Sequence, residues 1–348
     1  MKQVEVESAG LTDKGLSRLD NQDQFLIAEL SSSMLVKGSS LAIDAKSRLM
    51  GSPVGYLYLI ADGMGGHRAG KEASALSIEY FLTAILNSNI GQLSFDLESE
   101  SDFEQNLRTM LKDAHQMIRT RSQFDSELEG MGTTLTLAYV CWPRMMVVHA
   151  GDTRCYVHRD ETLRLITRDH TVANEMMKNG QLKQDSVERS PWANVLVNAL
   201  GAGAPEVFAD IYRLDMLEGD QLLLCSDGLN KHATDTQIQQ CLNEAKSAEA
   251  ACSELVRLAN EGGGTDNVTI VVANFRMAKE PNWRLKTFSA GPSDEVPFLD
   301  FESPLEGGGD STIDDERAND NSTDDSTESK DTLDYDENVS QTLDFEDQ

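Results

Sequence analysis

From about Val4 to Arg276, short apolar or alternating runs take turns with stretches whose apolar residues recur every three to four positions, and Gly, Asp and Asn mark the joints. Tyr56–Ala61, Thr134–Val140, Met145–His149, Gln221–Cys225 and Val268–Ala273 are each short, and most end at Asp or Gly. That pattern predicts buried strands. A second periodicity predicts helices: Ala69, Ala73, Leu76, Tyr80 and Ala84 share one helical face, as do Phe103, Leu107, Met110, Leu111, Ala114, Met117 and Ile118 behind an Asp102 cap. Thr234 with Gln237 three residues on reads as a capping box, and the stripe Ala251, Leu255, Leu258 stops at Gly262.

The strands come in adjacent pairs with short connections, which favours antiparallel sheets over a regular βαβ series. Two stacked sheets with helices outside accommodate both periodicities, an α+β fold. The Ser- and Gly-rich stretch 31–55 lies between strand candidates and reads as a surface excursion. Beyond about residue 280 the apolar periodicity stops, so a folded domain over 1–276 and an acidic, disordered tail over 277–348 are expected. Within that tail Asp331-Thr332-Leu333-Asp334-Tyr335 and Gln341-Thr342-Leu343-Asp344-Phe345 repeat a Thr-Leu-Asp-aromatic pattern, which reads as short linear motifs.

Charge sharpens this division. The 348 residues carry a formal charge of −29, of which residues 301–348, with 17 acidic and 2 basic side chains, supply −15. Such acidity argues against nucleic acid and anionic membranes as partners, since both want the opposite sign. With 39% hydrophobic residues the chain is too apolar to be wholly disordered. The first residues lack a secretory pattern, and no apolar run reaches the 18 or so residues of a membrane span. Five cysteines (141, 155, 225, 241, 252), an odd number with no CxxC pair, read as reduced core thiols of a cytoplasmic protein.

The candidate chemistry lies at the strand ends. Asp62, Asp152 and Asp227 follow apolar runs and Asp266 precedes one, and Gly accompanies nearly all of them, as in Asp62-Gly63-Met64-Gly65-Gly66 and Gly262-Gly263-Gly264-Thr265-Asp266-Asn267. One Asp-Gly pair is a common turn, but turns alone do not account for the joint pattern. Converging carboxylates repel by about 4 kcal/mol per pair at 4 Å in an effective dielectric near 20. Protons or hard divalent cations must neutralise them, and an all-oxygen set without a matching Cys/His set suits Mg²⁺ or Mn²⁺.

Arg18-Leu19-Asp20-Asn21-Gln22-Asp23, Ala61-Asp62-Gly63-Met64-Gly65-Gly66-His67 with Ala69-Gly70 and Ala73-Ser74, Gly130-Met131-Gly132-Thr133-Thr134, Ala150-Gly151-Asp152-Thr153-Arg154-Cys155-Tyr156, Cys225-Ser226-Asp227-Gly228-Leu229 and Gly264-Thr265-Asp266-Asn267-Val268-Thr269 occur in this order. Over about residues 4–276 this set resembles the metal-dependent Ser/Thr protein phosphatases of the type 2C or PPM family, and the Asp-Gly-Met-Gly-Gly-His form is most similar to the bacterial branch. The resemblance implies a four-layer αββα sandwich of two antiparallel sheets flanked by helices, with two Mn²⁺ or Mg²⁺ ions at one sheet edge. Asp62 would bridge both ions, the Gly63 carbonyl would complete one, Asp227 and Asp266 would hold the other, and Asp23 would act through coordinated water. Asp152 with Asp227 would form a weaker third site, and Arg18 would grip the substrate phosphate, because guanidinium pairs with phosphate oxygens bidentately.

The activity implied is hydrolysis of phosphoserine and phosphothreonine in proteins by a metal-bridging hydroxide, by a monomer that opposes a Ser/Thr kinase. Thr332 and Thr342 are candidate kinase targets that would create a site for a phosphothreonine-binding partner. Two other readings stand beside this one: a pseudophosphatase that keeps the fold as a binding module, and a phosphatase of other phosphoesters. Gln22 stands where many relatives have a metal-proximal Glu, and Met64 where eukaryotic relatives have a histidine proposed as general acid, which leaves His67 or metal-bound water for that role. His115 and His149 read as packing residues, and His170 as the entry to a flap over about 169–200.

Overall fold

Each continuous apolar run is a strand buried on both faces. The computed structural model of the protein describes residues 4–37, 48–88, 99–202, 205–278, 286–288 and 340–342. In chain order the elements are β1 (Val4–Asp13), β2 (Asp23–Leu35), β3 (Arg48–Met64), α1 (His67–Asn87), α2 (Ser99–Phe124), β4 (Gly132–Thr133), β5 (Leu135–Cys141), β6 (Arg144–Ala150), β7 (Arg154–Arg159) and β8 (Thr162–Leu165). They continue with α3 (Val172–Lys178), β9 (Leu200–Gly201), β10 (Asp210–Asp215), β11 (Gln221–Cys225), α4 (Asp227–Asn230), α5 (Asp235–Glu244), α6 (Ala248–Glu261) and β12 (Val268–Met277), and the short β13 (Lys286–Phe288) and β14 (Ser340–Thr342). One sheet has the order β1-β12-β11-β7-β8, the other β14-β10-β6-β5-β3-β4-β9, with β2 and β13 also paired to β3.

Period-two alternation sorts the side chains into layers. On β3, Leu57, Leu59 and Ala61 join Leu135, Leu137, Val148 and residues of α1 and α2 in one core. Tyr56, Tyr58 and Ile60, on the opposite face, join Val147, Val157, Leu222, Leu224 and Phe275 between the sheets. A third core packs Leu223, Ile270 and Val272 against Ile238, Leu242, Cys252 and Leu255 of α5 and α6. Three apolar seams between four layers are the expected αββα sandwich. Each large side chain buried this way contributes about 1.5–3 kcal/mol.

The central pairings are antiparallel, such as Tyr58↔Ala138 between β3 and β5 and Leu224↔Val271 between β11 and β12. The exception is β14, which runs parallel to β10 in the register Tyr212↔Gln341. Its Thr342 belongs to the second tail repeat, so two short stretches of the tail, 286–288 and 340–342, are strands where disorder was expected. The rest of that expectation lies outside the described residues.

Other boundaries also moved. Helix α2 starts at Ser99, so Asp102 lies within its first turn and not at the cap, where its charge still meets the positive end of the helix dipole. The supposed excursion 31–55 is largely strand, because β2 runs on to Leu35 and β3 begins at Arg48; residues 38–47 lie outside the described set. Thr234 and Gln237 form the expected capping box on α5. The chain divides into two units, 1–34 with 49–287 and 339–348, and 35–48 with 288–338; the second falls almost entirely outside the described residues. Among the described residues no helix is long and apolar enough to cross a membrane.

Candidate active site

The strand ends of both sheets open onto one cleft of about 1030 Å³, lined by Arg18, Gln22, Asp62, Gly63, Asp152, Asp227, Lys231 and Asp266, with residues 194–199 on its rim. Asp62 and Gly63 lie near the end of β3, Asp227 opens α4, Asp152 follows β6 and Asp266 shortly precedes β12. Asp23, the first residue of β2, is only 2% exposed, and its charge acts on the Asp62 carboxyl. All seven residues singled out from the sequence therefore meet in one place.

Backbone geometry explains the glycines. A side chain on Gly63 would meet the Gly70 carbonyl oxygen at 2.1 Å, so only glycine lets the first turn of α1 close against the end of β3. Gly65 and Gly66 have φ of 115° and 89°, the left-handed region that other residues rarely adopt. Gln22 pins this loop, its Nε2 donating to the Gly66 carbonyl at 2.6 Å. Asp62 is fixed by its own backbone: its N–H donates to Thr134 Oγ1 at 3.0 Å, and its carbonyl accepts from the N–H of Thr134 at 2.9 Å and the hydroxyl of Thr133 at 2.9 Å.

The carboxyls are electrostatically frustrated. Burial, followed by repulsion from Asp23, Asp227 and Asp152, holds the Asp62 carboxyl well above the usual range. Burial together with Asp227 does the same to Asp152. Burial pushes Asp23 up to about 6 although Ser226 and Thr269 donate to its Oδ2 at 2.7 and 2.8 Å. Asp227 is also raised by burial, against the pull of Lys231. Asp266 goes the other way: burial opposes ionisation, but hydrogen bonds from Arg18 and Lys231 hold its carboxyl below the usual range.

Asp23 Oδ1 and Asp227 Oδ1 are buried without a hydrogen-bond partner. Leaving such an oxygen unsatisfied costs about 1–3 kcal/mol, more when charged. Hard cations satisfy all-oxygen sets of this kind, so the residues present fit divalent ions. Among the described residues, however, no three His, Cys, Asp or Glu side chains form a closed metal cage. At Asp227 and Asp266 the chain's own Lys231 stands on both carboxylates. Arg18 Nε is ion-paired to Asp266 Oδ1 at 2.7 Å, and its side chain is 54% exposed at the rim.

Sequence reasoning missed the supports. Asn267 accepts from the Gln22 N–H and donates to the carbonyls of Lys14 and Asp20, which fastens the loop carrying Arg18. Ser226 and Thr269 exchange hydrogen bonds beneath Asp23. All three lie inside the quoted motifs, and Lys231 was legible as an i, i+4 acid–base pair with Asp227. The histidines packed as expected: buried His149 bonds Thr136 and is held near 3 by burial beside His170, and His115 accepts from the Gly201 N–H. His170 accepts from the Gly151 N–H at 3.1 Å and pairs with Asp210 at 3.0 Å, tying the 169–200 segment to the Asp152 loop. His67 is the first residue of α1; its side chain lies outside the described set.

An αββα sandwich with an acidic cleft where the ends of its two sheets meet defines a class of enzyme, and comparison with known proteins agrees. The family model for protein phosphatase 2C matches residues 44–266, and the chain belongs to that family. It is 31% identical over 224 residues to a serine/threonine phosphatase, stp, of Listeria welshimeri, covering 64% of this chain and 86% of the relative. The crystal structure of the Mycobacterium tuberculosis serine/threonine phosphatase PstP/Ppp superposes with a TM-score of 0.61 at 30% identity, covering 78% of this chain and 99% of that one. A structure of the PstP catalytic domain in complex with two manganese ions gives a TM-score of 0.60 at 28% identity, over 79% and 100% of the two chains.

Proposed function

We propose that this protein hydrolyses phosphoserine and phosphothreonine in proteins with the aid of two Mn²⁺ or Mg²⁺ ions, and that it opposes a Ser/Thr kinase. The observation that carries this reading is the convergence of Asp62, Asp152, Asp227 and Asp266 on one cleft with Arg18 at its mouth, where Asp227 and the neighbouring buried Asp23 each have an orphaned oxygen. Asp62, the Gly63 carbonyl, Asp227 and Asp266 would hold the two ions, and Asp23 would act on them through water. When bound, such ions make a coordinated water acidic near neutral pH and draw charge from the phosphoryl oxygens. The chain's own part is positional: Thr133 and Thr134 fix the Asp62 backbone, Ser226 and Thr269 fix Asp23, and the residue 194–199 rim borders the substrate groove. Residues 1–276 are read as the catalytic domain, acting as a monomer, and the acidic tail as a recognition segment whose Thr332 and Thr342 recruit a phosphothreonine-binding partner once phosphorylated.

A panel of phosphothreonine and phosphoserine peptides, phosphotyrosine peptides and small phosphoesters, assayed with Mn²⁺, tests the substrate class. Release of phosphate from the first two is expected. Turnover of small metabolite phosphoesters alone would point to a different hydrolase, and phosphopeptide binding without turnover to a pseudophosphatase.

Arg18 has its own test. Asp266 holds the guanidinium by Nε, which orients it at the mouth of the cleft for a phosphate. Arg18→Ala is expected to raise KM for a phosphopeptide by about 10-fold or more, the order of one charge-assisted hydrogen bond, while Mn²⁺ binds no more weakly. An unchanged KM together with weaker Mn²⁺ binding would remove Arg18 from phosphate recognition.

A further inference from the structure

Lys231 follows α4 directly, and its N–H donates to the Asp227 carbonyl at 3.0 Å, so one helical turn carries the side chain back over Asp227. Its Nζ is ion-paired with Asp227 Oδ2 and with Asp266 Oδ2, the latter at 2.9 Å, and the side chain is 24% exposed. Asp152 lines the same cleft as Lys231 and Asp227. One tethered cation thus serves two carboxylates and stands in the cleft that Asp152 also lines. Asp62 differs: burial and four neighbouring carboxylates act on it most strongly.

Charge counting gives the consequence. Asp23, Asp62, Asp152, Asp227 and Asp266, all ionised, against Arg18 and Lys231 leave a residual charge of −3. Two divalent ions bring the site to +1, ready for a phosphate dianion. Three would bring it to +3, and the third would have to settle between Asp152 and Asp227 beside an ammonium already there, a strongly repulsive arrangement in a partly desolvated cleft. Asp227 is suited to share, because Oδ2 holds Lys231 while Oδ1 has no partner and is open to an ion.

Building on the metal-dependent reading above, we propose that the Lys231 ammonium replaces the third divalent ion of this centre, so that the chain loads two ions and not three. On loading, Lys231 gives up Asp266 to the incoming ion and keeps Asp227. The lysine then supplies permanently, and without dependence on metal supply, the positive charge at Asp227 that a further ion would bring.

Equilibrium dialysis of the full chain against Mn²⁺, with metal analysis of the protein fraction, tests this directly on wild type, Lys231→Asp and Lys231→Met, with melting in chelator checking that each variant is folded. Wild type is expected to hold two ions, Lys231→Asp a third, and Asp152→Asn in the Lys231→Asp background two again. Lys231→Met should hold the third ion more weakly than Lys231→Asp, and its metal-free form should melt below wild type because two carboxylates lose their cation. Three ions on wild type, or the same count on wild type and both variants, would overturn the proposal while leaving the metal-dependent reading intact. A wild-type chain that binds no Mn²⁺ would overturn that reading, and this one with it.

Discussion

Asp62→Asn is expected to lower turnover of a phosphothreonine peptide by at least about 10³-fold, the scale of losing a group aimed at the charge of a transition state. It should leave the metal-free protein as stable as wild type or more so. The two effects have one cause. Burial, then the charges of Asp23, Asp227, Asp152 and Asp266, hold the Asp62 carboxyl well above the usual range, so a carboxylate there works against the fold. An amide has nearly the same shape, keeps the backbone bonds to Thr133 and Thr134, and removes repulsion worth a few kcal/mol, of the order of 4 per close pair. The checks are kcat with saturating Mn²⁺ and thermal melting in chelator. A melting temperature well below wild type would make Asp62 a structural residue.

Stripping divalent ions is expected to leave a folded protein whose stability falls as pH rises from about 4 to 6. Asp23 binds its proton more tightly folded than unfolded, with a shift from 3.8 to about 6, so the folded state holds extra protons across that window and loses their stabilising effect above it. For Asp23 alone the loss is on the order of 3 kcal/mol. Asp62, Asp152 and Asp227 are shifted the same way and extend the trend; Asp266, shifted down, works in the opposite sense at lower pH. Divalent ions replace those protons, and at about 100 times their dissociation constant they restore about 2.7 kcal/mol. The rise in melting temperature on adding Mn²⁺ should therefore be larger at pH 7.5 than at pH 5. Equal rises would mean that the ions bind elsewhere.

The sequence made the layers legible because runs such as Tyr56–Ala61 are apolar on both faces, and only a strand between two covers buries both. It showed β1 and β2 less clearly: their half-buried alternation mixes Glu, Ser and Gly with Val and Ile, and what makes them strands is pairing with distant β12 and β3. The site aspartates stood out through their glycines, whose constraint proved to be steric closure between Gly63 and Gly70 and the left-handed Gly65 and Gly66. The spacing of Asp227 and Lys231 made that pair legible, but the bonds of Lys231 and Arg18 to Asp266 did not stand out. Those depend on where distant loops meet, and no local spacing encodes that.

This cleft is expected to hydrolyse phosphothreonine only when divalent ions occupy it. One sample tests this most directly: phosphate release from a phosphothreonine peptide, followed first in excess chelator and then as Mn²⁺ is titrated back past the chelator. Release should be at background in chelator and should return in step with the rise in melting temperature. Full release in excess chelator would contradict the account.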